Sequence, residues 1–296
     1  MKEIKFTPKY KLWFGISGAV ILIGLVLMLT RGLNFGIDFT GGTMMQINLN
    51  QTVSVSEVSD AIKEFDLSPE IVHAGEQKHE VIIKTKSSLS NEDRAQIFNV
   101  LKTKYNLQDS DFRSAEQFGA AIGSEIRNRA LMAISVAAIF MLIYIWFRFE
   151  LIFGVAAIVA LLHDILILIS VYSIFNLTVN SSFIAAILTI VGYSINDTIV
   201  VFDRVRENVK RSKGKSHFEV ADKSINQTLT RSINTSLTTL LVIGALYFLG
   251  VESIREFALP LMTGIAVGTY SSIFIASPVW AIVRNKIARK GSYAAN

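Results

Sequence analysis

The chain has 296 residues, 51% of them hydrophobic and 18% charged, with a mean hydropathy of +0.44 and a formal net charge of +5. A soluble domain of that composition would leave too much apolar surface in water, so a soluble enzyme is excluded and a membrane protein is indicated. No cysteine is present, which excludes a disulfide framework and a thiolate metal site, and the basic residues are segregated by segment rather than arranged for nucleic acid.

Residues 1–11 carry Lys2, Lys5, Lys9 and Lys11 against Glu3, and an apolar run follows at 12–30, long enough for one span. It is too long for the apolar core of a signal peptide and no small-residue cleavage site follows, so an uncleaved span is expected. From 31 to 125 acidic residues outnumber basic ones, 14 to 9. Met45, Ile47 and Leu49 alternate with polar positions and predict a strand. Ser54 and Glu57 predict a helix start followed by Val58, Ile62 and Phe65 at helical spacing. Strands are expected at 69–75 and 79–85. Ser90 and Asp93 open a further helix with the stripe Ile97, Val100, Leu101 and Tyr105, and a last strand is expected at 111–118. The order β-α-β-β-α-β is the split, ferredoxin-like arrangement.

Further apolar runs predict spans at 130–147, 151–175, 183–202, 233–250 and 257–283. Basic residues favour the inner face of a membrane. With the N-terminus inside, the turn at Arg148, the basic segment 203–231 and the C-terminus all fall on that face; Arg127 and Arg129 sit against the rule. The expected fold is therefore an α-helical multi-pass membrane protein with six transmembrane helices and an inserted α+β ferredoxin-like extracytoplasmic domain. The expected organisation is a basic cytoplasmic N-terminus and first transmembrane helix at 1–30 and the extracytoplasmic domain at 31–126. Transmembrane helices two to six occupy 127–283 with a cytoplasmic loop at 203–231, and a basic cytoplasmic tail spans 284–296.

The candidate chemistry lies in the spans. Asn196 and Asp197 stand side by side near the end of the fourth, where a carboxylate costs up to roughly 2.5–3.5 kcal/mol at a helix centre and less toward the ends. Tyr193 and Ser194 put hydroxyls one turn away. Asp197 is either a carboxylate that loads and unloads protons or a structural one bonded to another helix. Arg231, at the head of the fifth span, is expected at a similar depth, with Thr235, Thr238 and Thr239 on its side of a polar segment. It is either a cation that approaches and leaves Asp197 or an arginine reaching for the headgroups. His163 and Asp164, deeper in the third span, are either a relay or a helix-contact pair. Gly264 and Gly268 allow close helix packing. Residues 36–42 (GIDFTGG) read as a flexible turn between a span and a strand. His73, His79, His163 and His217 show no ligand spacing, and no nucleophile–base pair, metal cluster or nucleotide motif occurs. No enzyme activity and no cofactor are expected.

Two stretches are more specific: 34–42 (NFGIDFTGG) and 191–208 (VGYSINDTIVVFDRVREN), continued by 226–240 (NQTLTRSINTSLTTL). They resemble the signatures of the SecD/SecF family of the RND superfamily, on its SecF side, and the resemblance covers essentially the whole chain. It implies an RND-like half whose other half is SecD. It further implies a bacterial inner-membrane location and association with the SecYEG translocon, a preprotein substrate and YajC, without nucleic acid. The implied activity is a late, SecA-independent step of export driven by the proton-motive force. It also implies a proton path through Asp197 and Arg231, completed by a carboxylate from SecD; His163, Asp164, Tyr193, Ser194 and Asn196 remain secondary intramembrane polar positions. Two rival functions stay open: an RND-like half transporter exporting small molecules, and a scaffold that only stabilises a channel.

Overall fold

In the computed structural model, residues 4–75, 77–212 and 215–293 are described. Lys2 and Glu3 of the basic N-terminus, Lys213 of the basic segment and residues 294–296 of the tail lie outside the described residues.

Six helices among the described residues are long and apolar enough to cross a membrane. The first is α1 (Tyr10–Arg31), stopped by Gly32 at φ 76° with its N–H on Met28 O. A short helix, α2 (Ile37–Thr40), leads into β1 (Gly42–Asn48), α3 (Val55–Ala61), β2 (Glu70–Ala74), β3 (Glu80–Thr85), α4 (Asn91–Tyr105) and β4 (Phe112–Phe118). The two predicted helix starts carry their caps: Ser54 accepts from Glu57 N–H, and Ser90 and Asp93 form a reciprocal capping box. The four strands make one antiparallel sheet in the order β2-β3-β1-β4. Register pairs Met45 with Ile83 and Ile47 with Val81, so the alternation read from the sequence becomes one apolar row. That row packs on Val58 and Ile62 of the α3 segment and on Ile97 and Leu101 of α4, all at most 1% exposed.

The remaining spans are α5 (Ala120–Arg148), α6 (Leu151–Ile174), α7 (Ser181–Arg211), α8 (His217–Leu249) and a last helical run, α9 (Glu252–Ser271) continuing through a π-helical turn at Ser272–Ala276 into α10 (Ser277–Tyr293). Helices α6, α7 and α9 are the most buried, with α1, α5 and α8 outside them. Their packing makes two apolar clusters. One centres on Phe153, Phe202 and Trp280, the other on Leu168, Tyr172, Phe183 and Ile190. Between the two lies a belt of polar side chains.

Three expectations are corrected. The loop expected at 203–231 is mostly helix: α7 continues to Arg211 and α8 begins at His217. The cause is an apolar stripe, Val205, Val220, Ala221 and Ile225, buried with Phe202, and a buried hydrogen bond from Asn208 Nδ2 to Ser224 Oγ (2.9 Å). The second span's helix begins ten residues before position 130, because its first turns pack on α2. Residues 36–42 are not a flexible turn. Ile37 and Phe39 are buried, Gly36 N–H donates to Val179 O (2.9 Å), and Asp38 Oδ2 accepts from Ser181 N–H (2.9 Å). Gly42 sits at φ 144°, and a Cβ there would lie 2.2 Å from Thr85 O.

The two ends of the helix bundle differ. At one, Phe6 and Thr7 N–H groups donate to Asp222 Oδ1 (2.9 and 2.8 Å) and His217 meets Asn285 (2.7 Å), which gathers the basic segments. At the other, Lys84 of the sheet pairs with Glu256 (2.6 Å), whose second oxygen accepts from Asn180 (2.7 Å).

Candidate functional site: a belt of buried carboxylates

Asp197 is 2% exposed and faces the seam of α7, α8 and α9. Its Oδ2 accepts from Ser236 Oγ of α8 (3.2 Å) and Thr269 Oγ1 of α9 (3.3 Å), and these two hydroxyls are 2.6 Å apart. No ion pair reaches it among the described residues. Arg231 is exposed, five residues before Ser236 on α8, and its charge acts on Asp197 through space without contact. A buried carboxylate held by two neutral hydroxyls, with a guanidinium nearby but out of contact, differs from a closed salt bridge: neither partner is committed to the other.

Asp164 is 1% exposed and more fully bonded. Its Oδ2 accepts from Ser194 Oγ of α7 (2.5 Å) and Ser271 Oγ of α9 (2.9 Å), and its Oδ1 lies 2.9 Å from His163 Nδ1. His163 Nε2 lies 2.9 Å from Ser17 Oγ of α1. The two carboxylates thus share the α7–α9 seam: Ser194 is three residues from Asp197, and Thr269 two from Ser271.

Two glycines allow that seam to close. A Cβ on Gly264 would lie 2.2 Å from Ile190 Cδ1, and one on Gly268 would lie 3.0 Å from Ser194 Cβ. The π turn at Ser272–Ala276 begins one residue after Ser271, and such turns recur where a helix must re-aim side chains at a functional point.

The residues predicted from sequence are distributed differently from their expected roles. Ser194 serves Asp164 rather than Asp197. The Tyr193 hydroxyl turns to α8, sharing its one hydrogen between Thr239 Oγ1 (3.1 Å) and Thr235 O (3.3 Å). Asn196 is exposed. On α8 the contact to Asp197 comes from Ser236, while Thr235 and Thr238, on the Arg231 side, are exposed; the buried Ser232 hydroxyl, one turn toward Arg231, has no hydrogen-bond partner among the described residues. Ser17, Thr269, Tyr270 and Ser271 were not anticipated. The visible signal for three of them was a run of hydroxyls in the sixth span, 269–272, beside the glycines. Among the described residues no group of three or more His, Cys, Asp or Glu could hold a metal ion.

Six apolar helices, an inserted antiparallel sheet and a belt of buried, hydrogen-bonded carboxylates at the centre of the bundle describe a multi-pass membrane protein of the transporter kind. Residues 98–286 match the family of the protein export membrane protein SecD/SecF, C-terminal, and residues 26–53 match the SecD/SecF GG motif. The protein translocase subunit SecF of Desulfurispirillum indicum is 42% identical over 270 residues, which cover 88% of this chain and 86% of that protein. The fused protein translocase subunit SecDF of Bacillus subtilis is 35% identical over 291 residues, covering 97% of this chain and 39% of that protein. The crystal structure of SecDF from Thermus thermophilus superposes with a TM-score of 0.80 at 37% identity, covering 96% of this chain and 39% of that one. The chain belongs to the SecD/SecF family of protein-export membrane proteins, with a role in Sec-dependent protein translocation.

Proposed function

We propose that this chain is the SecF half of a SecD–SecF pair that draws on the proton-motive force during late, SecA-independent export of preproteins through SecYEG. The chain accounts for 39% of the fused SecDF relatives, which supports a SecD-type partner for the remainder. In this reading both termini are cytoplasmic and the sheet, of the ferredoxin-like type by its strand order, faces outward; the basic residues at the opposite end support that orientation. YajC is a further partner in the same reading.

The observation that carries the proposal is the state of Asp197: buried, bonded by hydroxyls alone, with Arg231 near but not in contact. Protonated, Asp197 is a neutral group that the two hydroxyls satisfy. Ionised, it attracts Arg231 and draws α8 against α7. Each proton moving inward releases about 2.3 kcal/mol per 100 mV, and a difference of that size shifts a two-state equilibrium usefully. The link from α7 to the sheet runs through Asn180 and Asp38 at the α7 N-terminus.

Asp197→Asn keeps the volume and a hydrogen-bond acceptor but cannot cycle a proton. In vesicles with SecD, SecYEG and SecA, it should lose gradient-dependent stimulation of export while still co-purifying with SecD. Undiminished stimulation would overturn the proposal.

A further inference from the structure

The belt holds a second ionisable pair that the reading above does not use. His163 and Asp164 are 7% and 1% exposed, and their hydrogen bonds form one line across α1, α6, α7 and α9. Beyond His163, Ser17 Oγ donates to Tyr270 OH (3.3 Å), and Tyr270 OH donates to Trp13 O (3.2 Å).

Counting donors gives the proton arrangement that satisfies every bond in this line. A hydroxyl carries one hydrogen, and a carbonyl only accepts. Tyr270 spends its hydrogen on Trp13 and Ser17 spends its own on Tyr270, so Ser17 Oγ can only accept from His163. Nε2 therefore carries a hydrogen. Between His163 Nδ1 and Asp164 Oδ1, 2.9 Å apart, one further proton makes a bond; none would set lone pair against lone pair. The pair is then neutral overall, as imidazolium with carboxylate or as imidazole with carboxylic acid. The reverse orientation, with Ser17 donating to Nε2, forfeits the Tyr270 bond and leaves a net negative charge buried. The side chains bonded to or stacked on the pair are Ser17 from α1, Ser194 from α7, and Tyr270 and Ser271 from α9, with Asp197 one turn along α7; among the described residues no cation forms an ion pair with Asp164 other than His163.

The geometry points to His163–Asp164 as a second proton-holding site, one that shares a single proton across Nδ1 and Oδ1 and is coupled to Asp197 through the α7–α9 seam. Transfer within the pair breaks the Nδ1–H bond and forms Oδ1–H, with no change in net charge. The coupling is mechanical as well as electrostatic: Ser194 and Ser271 hold Asp164 from the two helices that also carry Asp197 and Thr269, so a change of α7–α9 spacing at one site alters the bonds at the other. This rests on proton use by the membrane domain as proposed above.

The test uses the full chain with SecD in vesicles and compares Asp164→Asn, His163→Gln and Asp197→Asn. Both α6 variants should lower gradient-dependent stimulation by about a hundredfold, the lower end of what a positioned proton-transfer group contributes. SecD association should be retained. Infrared difference spectra of wild type should contain a carboxyl C=O band that responds to the gradient, vanishes in Asp164→Asn and moves in frequency in His163→Gln; a merely structural pair gives no such response. Normal stimulation in Asp164→Asn alongside loss in Asp197→Asn overturns this inference and leaves the functional reading standing. Normal stimulation in Asp197→Asn overturns both. If neither α6 variant assembles, the spectrum of Asp197→Asn decides: a carboxyl band that still responds to the gradient supports the site, and the absence of any such band overturns it.

Discussion

Asp197 and Asp164 are both buried carboxylates, yet their surroundings make them different objects. Asp164 has a partner for each oxygen, including an imidazole, and is closed off from α8. Asp197 has two hydroxyls on one oxygen and an arginine held in reserve. The geometry of both depends on how closely α9 approaches α7, and Gly268 sets that approach. Gly268→Ala places a methyl 3.0 Å from Ser194 Cβ and 3.2 Å from Ser194 Cα, so Ser194 must give by a few tenths of an ångström. The expected cost is about 1–3 kcal/mol of overpacking. The Ser194–Asp164 and Thr269–Asp197 bonds should loosen with it, and stimulation of export should fall. Gly264→Ala places a methyl 2.2, 2.4 and 2.8 Å from Cδ1, Cγ1 and Cγ2 of the buried Ile190, so it should cost at least as much stability while touching no partner of either carboxylate. Thermal denaturation in detergent, run beside the export assay, separates the two; equal losses of stimulation would mean that close approach at Gly268 does not position the belt.

At the scale of elements, the clearest local rule is the α4 start. Asp93 accepts from both the N–H and the hydroxyl of Ser90, and these bonds hold its carboxyl below the ordinary carboxylate range. A lowered value means that the stabilisation is present above the unfolded value and is lost as pH falls through the folded one. Acidification below about pH 4 should therefore fray the first turn of α4 before the sheet, seen as faster amide exchange at Asp93 and Arg94. Asp93→Asn should show the same fraying at neutral pH and no further acid response. The capping pair was legible because its members lie three residues apart in the chain. The 203–231 segment was read as a loop because its charges dominate; its burial against Phe202 depends on α7 and α8 finding each other.

For the whole molecule, one ion pair that holds the sheet to the bundle lies beside the start of α7. Lys84 and Glu256 form a largely shielded pair, and Glu256 also ties Asn180, the residue that caps α7. Lys84→Ala should weaken docking by on the order of 1 kcal/mol, between the values for surface and buried pairs. Hydrogen exchange should then rise in β3 and at the first turns of α7 and α9 while the belt stays protected. If protection at the α7 start is unchanged, the pair is not what joins the sheet to the helix that carries Asp197.

By itself the sequence determined what depends on neighbours along the chain: six apolar runs, strand alternation, helix caps, the segregation of basic residues, and an acid that membrane burial makes conspicuous. Tertiary structure alone decided which hydroxyl meets which carboxylate. A helix turns about 100° per residue, so Thr235 and Ser236 point to different neighbours although they adjoin. Which of them faces Asp197 is set by the rotation and depth of α8 against α7 and α9. Those are fixed by contacts far apart in sequence, Asn208 with Ser224 and Tyr193 with Thr239 between α7 and α8, while Gly268 with Ser194 and, on α1, Gly24 with Ser170, where a Cβ would lie 2.2 Å from the serine Cβ, set the neighbouring seams. Small hydroxyls such as Ser17 and Ser271 carry no signal until that packing brings them to a buried charge.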